Sequence, residues 1–337
     1  MFNFDPDRYL SIQTGAVAAA AELRALVGGL LGAGKARIHF AGAGGAAILM
    51  APAVRLLRDR TTFPVHDAMT AEILISGDPH LGPESIVIIP SLSGTTGESV
   101  ELAEMVRAKG ATVIALTGHP DTPLGKASDH VLINFAEDDT SCESFFIQSL
   151  AIALAVLEAR GELDGADALF GQFEALPTAL LEAKRTFEPR AQKLARDWAN
   201  RDYHIFTGAG LSWPEAYYYG MCILEEMQWI RTRPVHASDF FHGTLELVEN
   251  GTSVVIFKGE DQWRPLTDRV EAFARQYTDT VTVLDAADFA LPGIGPDLRP
   301  LVSQAVHSAV LERLSAHLEH LRDHPLTTRR YYRRVKY

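Results

Sequence analysis

A pattern of strand, glycine turn and helix occurs twice in the chain and constrains the fold more than any other feature. Residues 39–44 read His-Phe-Ala-Gly-Ala-Gly, and residues 205–210 read Ile-Phe-Thr-Gly-Ala-Gly, 166 positions later. A strand that leads through a glycine turn into a helix is the building unit of parallel α/β sheets. Two copies of this unit indicate an internal duplication.

Apolar runs and helical patterns alternate around both turns, as parallel sheets covered by helices require. The predicted strands are 37–41, 85–90, 112–117, 131–134, 254–257 and 280–284. The predicted helices are 7–31, 46–59, 98–109, 141–160, 264–276 and 300–323, with a charged helical stretch over 161–200 between the halves. We therefore predict an α/β protein with two doubly wound parallel sheets, divided into domains 1–162 and 163–337. Ligands are expected at the carboxyl ends of the strands.

Composition excludes several classes of function. The 337 residues are 47% hydrophobic, which is enough for two domains with separate cores. A net charge of −12 argues against a nucleic-acid partner, because phosphate binding needs a basic surface. Cys142 and Cys222 form neither a disulfide framework nor a metal-ligand spacing. The first residues lack the basic start of a signal peptide, and the apolar run 150–157 is too short to span a bilayer. We predict a soluble cytoplasmic protein without a metal.

The loop Ser-Leu-Ser-Gly-Thr-Thr-Gly at 91–97 follows a predicted strand and precedes a predicted helix. Its hydroxyls, its backbone N–H groups and the helix dipole suit a phosphate dianion without arginine or lysine. Turn and cap chemistry explains one or two of these hydroxyls, but not four. The other turn, 42–44, lacks the third glycine of a dinucleotide fingerprint, so we expect no redox cofactor.

The stretch 220–249 contains candidate groups for proton transfer. Glu225 and Glu226 lie in an apolar helical run, and successive residues point about 100° apart, so we expect one carboxylate to be buried. His242 follows Glu226 by 16 residues and opens a short helix. A buried carboxylate and a histidine can form a general acid/base pair, although a polar helix edge with a surface histidine explains the local pattern equally well.

These features together resemble the sugar isomerase (SIS) family, whose members bind phosphosugars. The second-half motifs are the most specific part of the resemblance, and within the family they look most like those of the fructosamine 6-phosphate deglycases. They are Glu226-Met-Gln-Trp-Ile, Phe240-Phe-His-Gly243 and the ending His324-Pro-Leu-Thr-Thr-Arg-Arg-Tyr331. The isomerase half of glucosamine 6-phosphate synthase is similar too, but that enzyme carries a glutaminase domain that supplies ammonia. This chain has no room for such a domain, so we expect release of an amine from a sugar phosphate.

The resemblance implies roles for individual residues. Phosphate binding is implied for Ser91, Ser93 and Thr96, and contact with the sugar for Ser141, Gly44 and Gly45. The implied base is Glu226 rather than Glu225, and His242 is the implied ring-opening acid/base. This chain departs from the family pattern at Gly44 or Ala46, where relatives often have serine, and at Thr244, where they have proline.

The resemblance also implies a homodimer with the site at the subunit interface and with His242 reaching in from the neighbouring chain. The implied reaction is hydrolysis of a 6-phosphorylated fructosamine to glucose 6-phosphate and an amine, without a cofactor. An aminosugar-phosphate deaminase, an aldose-ketose isomerase and a non-catalytic phosphosugar sensor remain alternatives. The basic tail 329–336 is a charge run, which is usually a solvated face. The resemblance implies the alternative that the tail reaches over the active site and that its basic groups bind the carboxylate of a released amino acid.

Overall fold

The computed structural model describes residues 1–133, 142–332 and 334–335, and the elements below belong to these residues. The strands are β1 (Arg37–Gly42), β2 (Val65–Met69), β3 (Ser85–Ser91), β4 (Thr112–Thr117), β5 (His130–Ile133), β6 (Tyr203–Gly208), β7 (Arg231–His236), β8 (Val254–Lys258) and β9 (Val281–Asp285). The helices are α1 (Pro6–Gly32), α2 (Gly44–Arg60), α3 (Thr70–Ser76), α4 (Gly97–Ala108), α5 (Pro123–Ala127), α6 (Glu143–Ala159), α7 (Ala166–Gly171), α8 (Leu176–Trp198), α9 (Trp213–Tyr218), α10 (Glu226–Gln228), α11 (Arg264–Tyr277) and α12 (Ser303–Arg322).

One compact unit consists of Pro6–Thr178 and Gly293–Leu298. Its sheet has five parallel strands in the order β2-β1-β3-β4-β5. Every residue of the central strand β3 is buried. Continuous burial is expected where helices cover both faces of a parallel sheet, and it explains why this strand is a nearly unbroken apolar run.

The other compact unit consists of Met1–Asp5, Ala179–Pro292 and Arg299–Tyr337. Its sheet has four parallel strands in the order β7-β6-β8-β9. In both sheets the first strand in the chain pairs with the second on one side and with the third on the other. The described residues therefore form an α/β fold with parallel sheets flanked by helices, as the strand and helix pattern predicts.

Two strands have no counterpart among the predicted elements. The first is β2, whose sequence Val-His-Asp-Ala-Met has no fully buried position, and the second is β7, Arg-Thr-Arg-Pro-Val-His, which has one. Both lie at an edge of their sheet. An edge strand can carry polar residues, and β2 and β7 do, so hydrophobic patterning does not reveal them. The edge strands β5 and β9 are mostly apolar, and the pattern predicts both.

Helix α1 is long and apolar enough to cross a membrane, judged by length and composition alone. Its most apolar 18-residue window has a mean hydropathy of 1.4. One face of the helix, which includes Ala16, Leu23 and Val27, is fully buried, and the helix packs against α6. Packing of this kind is also typical of core helices in soluble proteins, so the cytoplasmic location stays a prediction.

Candidate active site

The hydroxyl-rich loop predicted for phosphate lies between β3, which ends at Ser91, and α4, which begins at Gly97. The Oγ of Ser91 is 3.2 Å from the Oγ1 of Thr96. The Oγ of Ser93 accepts hydrogen bonds from the backbone N–H of Thr95, at 3.3 Å, and from its hydroxyl, at 2.9 Å. The first N–H groups of a helix have no partner within the helix. Hydroxyls and amide donors therefore meet at one end of α4, which is the arrangement that favours an oxyanion.

Gly94 gives this loop its shape. Its φ is +58°, and a Cβ at this position would lie 2.4 Å from the Oγ1 of Thr122. That Oγ1 also accepts a hydrogen bond from Gly125 at the start of α5, at 3.0 Å. The carbonyl of Gly94 accepts a hydrogen bond from the backbone N–H of Leu124, also at 3.0 Å. The loop is thus packed against α5 so closely that only glycine fits at residue 94.

The first glycine turn, residues 42–44, lies beside this loop at the carboxyl ends of the strands, because β1 and β3 are parallel neighbours. Gly44, with φ +58°, and Gly45 are the first residues of α2. The structure therefore places five of the six predicted substrate-binding residues at the carboxyl ends of β1 and β3. They are Gly44, Gly45, Ser91, Ser93 and Thr96. The sixth, Ser141, lies outside the described residues.

In the second sheet, the side chain of Asp261 lies against the second glycine turn, residues 208–210. The side chain of Asp261, only 7% exposed, accepts hydrogen bonds from the backbone N–H of Leu211, at 2.8 Å, and of Trp263, at 3.0 Å. A Cβ on Gly210 would lie 2.4 Å from the Trp263 ring. The Asp261 carboxylate therefore occupies the space at this turn. The sequence indicates the difference between the two halves, because Gly-Glu-Asp at 259–261 follows β8 whereas the hydroxyl loop follows β3.

Glu226 begins the short helix α10, directly after a π-helical segment, Tyr219–Glu225. Wide helical turns of this kind are frequent at functional sites. The helix ends at Gln228, and the residue that caps it, Trp229, has a φ of +56°, which is unusual for a residue other than glycine. Neither the π-helical segment nor this left-handed residue could be read from hydrophobic spacing.

The two adjacent carboxylates have different partners. Glu225 is exposed, and its Oε1 accepts hydrogen bonds from the backbone N–H and the hydroxyl of Thr232, at 3.1 and 2.6 Å. The Oε1 of Glu226 pairs with the Nε of Arg329 at 2.8 Å. The expectation that one of the two is buried is wrong, since the Glu226 side chain is still 31% exposed. The physical reason is that the helix ends within three residues of this position.

His242 is exposed and is the last residue of a short 3₁₀ turn, Phe240–His242, so the expectation that it opens a short helix is wrong. The fully buried side chain of Phe240 anchors this turn in the core. The next residue, Gly243, has φ +151°, which favours glycine. His236, six residues before His242, packs edge-on against Trp213, and its Nδ1 accepts a hydrogen bond from the backbone N–H of Ser238 at 3.2 Å.

A histidine cluster that the sequence does not predict lies in the first unit. Ligand atoms of His39, His66 and Asp78 lie within 4.8 Å of one another, a spacing that could hold a metal ion. The imidazoles of His39 and His66 are stacked, however, with centroids 4.4 Å apart and planes inclined by 11°. The nitrogen lone pairs of the two stacked rings lie in nearly parallel planes, so at least one ring must tilt before both can coordinate one ion. Burial lowers the pKa of His39 to about 4, so this imidazole is neutral at pH 7.

The chain matches the SIS domain family over residues 33–158. It is 31% identical to fructosamine deglycase FrlB of Bacillus subtilis over 326 residues, 94% of this chain and 97% of that protein. It is 29% identical to fructoselysine 6-phosphate deglycase of Escherichia coli over 240 residues, 71% of this chain and 68% of that protein. A Salmonella typhimurium chain assigned to the phosphosugar isomerases superposes with a TM-score of 0.87 at 30% identity, covering 95% and 97% of the two chains.

These matches cover the glycine turn, the hydroxyl loop and, in the long alignments, nearly the whole chain. The resemblance drawn from the sequence motifs is thereby confirmed. The chain belongs to the SIS (sugar isomerase) family.

Proposed function

We propose that this protein is a deglycase that hydrolyses a 6-phosphorylated fructosamine to glucose 6-phosphate and a free amine or amino acid. The observation that carries the proposal is the open hydroxyl loop at Ser91–Gly97, in a chain whose near full-length relative is named a fructosamine deglycase. Since the equivalent turn of the second unit holds Asp261, the first unit supplies the phosphate site.

The binding roles follow from the loop. The hydroxyls of Ser91, Ser93 and Thr96 and the first N–H groups of α4 bind the phosphate. The backbone of Gly44 and Gly45 contacts the sugar at the neighbouring turn, and contact with the sugar is the role proposed for Ser141 as well. Hydrogen bonds to a doubly charged oxyanion are charge-assisted, so they bind tightly without a cationic side chain.

The catalytic roles belong to Glu226 and His242. His242 moves a proton to or from the ring oxygen as the cyclic substrate opens. Glu226 removes a proton from carbon 1, the released electron pair forms the double bond between carbons 1 and 2, and the carbonyl oxygen on carbon 2 takes up a proton, which gives an enolamine. The nitrogen lone pair then forms a carbon–nitrogen double bond at carbon 1 while the electron pair of the carbon–carbon double bond takes up the returning proton at carbon 2. Water hydrolyses this aldimine to the aldehyde sugar and the amine.

The contacts of the two glutamates support this choice of base. Glu225 is engaged by Thr232 at the start of β7, which is a structural role. Glu226 instead forms an ion pair with Arg329 of the C-terminal tail.

The domain organisation and assembly are part of the same proposal. Two tandem SIS domains, 1–162 and 163–337, are supported by the equal strand order of the two sheets. A homodimer with its site at the subunit interface accounts for the exposed His242, because a neighbouring chain can complete what one chain leaves open. Mixing Glu226→Gln chains with His242→Ala chains should then restore part of the activity.

The experiment that tests the function is release of glucose 6-phosphate, followed with a coupled dehydrogenase, from a panel of 6-phosphofructosamines. Fructose 6-phosphate and glucosamine 6-phosphate belong in the same panel. Turnover of a fructosamine conjugate supports the deglycase. Activity on the ketose or aminosugar phosphate alone would make the protein an isomerase or deaminase instead.

A further inference from the structure

The C-terminal tail contacts the proposed catalytic base. The guanidinium of Arg329 is 2.8 Å from the Oε1 of Glu226, and its side chain is only 14% exposed. Its Nη1 also donates to the backbone carbonyls of Leu326 and Thr328, at 2.6 and 3.0 Å. Arg329 is therefore held in place by its own tail and positioned toward Glu226.

The tail is attached to the helix end that carries Glu226. The side-chain Nε2 of Gln228 donates a hydrogen bond to the backbone carbonyl of His324 at 2.7 Å. The indole of Trp229 contacts the His324 ring edge-on, with centroids 4.4 Å apart, and the guanidinium of Arg330 lies 3.8 Å from the centroid of the indole. The left-handed backbone of Trp229 places this ring where two tail residues can pack on it.

This arrangement conflicts with proton abstraction. While Glu226 is paired with a guanidinium, its Oε1 accepts a hydrogen bond from Arg329 and is not available to take the proton from carbon 1. Releasing Glu226 leaves a poorly hydrated guanidinium without an anion, and a desolvated unpaired charge is strongly unfavourable. A substrate that supplies a second anion for Arg329 removes this penalty.

The proposed substrate class contains such an anion. Its phosphate is on carbon 6, at the far end of the sugar from carbon 1. The carboxylate of an amino acid joined through its α-amine lies one carbon from the nitrogen on carbon 1, beside the proton that Glu226 removes. This inference rests on the proposed function, because it assigns a role in the same reaction.

We propose that Arg329 determines specificity: it binds Glu226 in the empty enzyme and the α-carboxylate of the substrate during turnover. The protein accordingly prefers conjugates of α-amino acids to conjugates of neutral amines. Bidentate binding is possible because a guanidinium presents parallel N–H donors to a carboxylate.

The test compares two substrates that differ only in charge, the 6-phosphofructosyl conjugates of glycine and of glycinamide. Wild type should favour the glycine conjugate about 10- to 100-fold in kcat/KM, the range of one charge-assisted contact. Arg329→Ala should remove this preference by lowering kcat/KM for the glycine conjugate and by raising it for the glycinamide conjugate, because Glu226 is then released without leaving a guanidinium unpaired. Arg329→Lys should retain part of it. Arg334→Ala, in an exposed tail position with the same loss of charge, is the matched control and should behave like wild type.

Each outcome decides one question. A wild-type enzyme that turns over both conjugates equally overturns the role of Arg329 and leaves the deglycase standing. Equal losses for both conjugates in Arg329→Ala overturn it too, because they indicate that Arg329 only orients Glu226. A wild-type enzyme inactive on both conjugates and on the wider panel overturns the proposed function, and this inference with it.

Discussion

Replacing Gly94 by alanine tests the description of the phosphate loop most severely. A residue with a side chain at φ near +60° costs roughly 1–2 kcal/mol. The new Cβ would also lie 2.4 Å from the Oγ1 and 2.5 Å from the Cβ of Thr122, both well inside contact distance. Overpacking of this kind costs roughly 1–3 kcal/mol more. We therefore expect Gly94→Ala to lower the free energy of unfolding by about 2–5 kcal/mol in total.

Two other glycines near the carboxyl ends of the same strands, Gly44 and Gly97, are natural controls. Gly44 has the same φ of +58° but open space around a built Cβ, so Gly44→Ala should show the backbone strain alone, roughly 1 kcal/mol after the entropy gained in the unfolded chain. Gly97 has neither an unusual φ nor a neighbour within 4 Å, so Gly97→Ala should be neutral or slightly stabilising.

Urea unfolding of the three variants measures the differences, and the KM for the phosphorylated substrate reports the loop itself. A double-mutant cycle with Thr122→Gly isolates the contact, and a coupling energy of about 1–3 kcal/mol is expected. If Gly94→Ala unfolds no more easily than Gly44→Ala, or if the coupling is zero, the loop is not packed against α5 as described.

Two further predictions concern proton-binding groups. Burial lowers the pKa of His39 and His307 to about 4 and that of His204 to about 3, so the unfolded chain binds protons that the folded chain does not. The free energy of unfolding should be unaffected by these histidines above about pH 6.5 and should fall as the pH drops toward 4, because only the unfolded chain then takes up the protons. His39 alone should account for a loss of up to about 3 kcal/mol, at about 1.4 kcal/mol per pKa unit. A urea midpoint that stays constant from pH 7 to 4.5 contradicts this prediction. Glu225→Gln should weaken the contact with Thr232 and lower the free energy of unfolding by about 1 kcal/mol with kcat retained, and a large loss of kcat would reassign the base.

The sequence predicts the central elements of the fold well, because they carry the strongest patterns. The predicted strand 85–90 corresponds to β3, and the predicted strand 112–117 corresponds to β4 residue by residue. These strands are buried on both faces, so their apolar runs are continuous. Hydrophobic patterning does not reveal β2 and β7, because their partial exposure allows polar residues among the apolar ones.

In the candidate site, too, the sequence predicts some parts and not others. The hydroxyl loop is local in sequence, so its position at the start of α4 follows from the strand and helix that flank it. The pairing of Glu226 with Arg329 joins residues 103 positions apart, and no periodicity reports such a contact. The carboxylate in the second glycine turn is equally non-local, since Asp261 reaches Leu211 across 50 positions.

The most direct test of the central claim compares Glu226→Gln with Glu225→Gln in the release of glucose 6-phosphate from the conjugate that wild type uses best. Loss of a general base should lower kcat by about 10²–10⁴-fold in Glu226→Gln, with folding intact, while its neighbour retains most of its activity. Equal activity of Glu226→Gln and wild type on that conjugate would contradict the account.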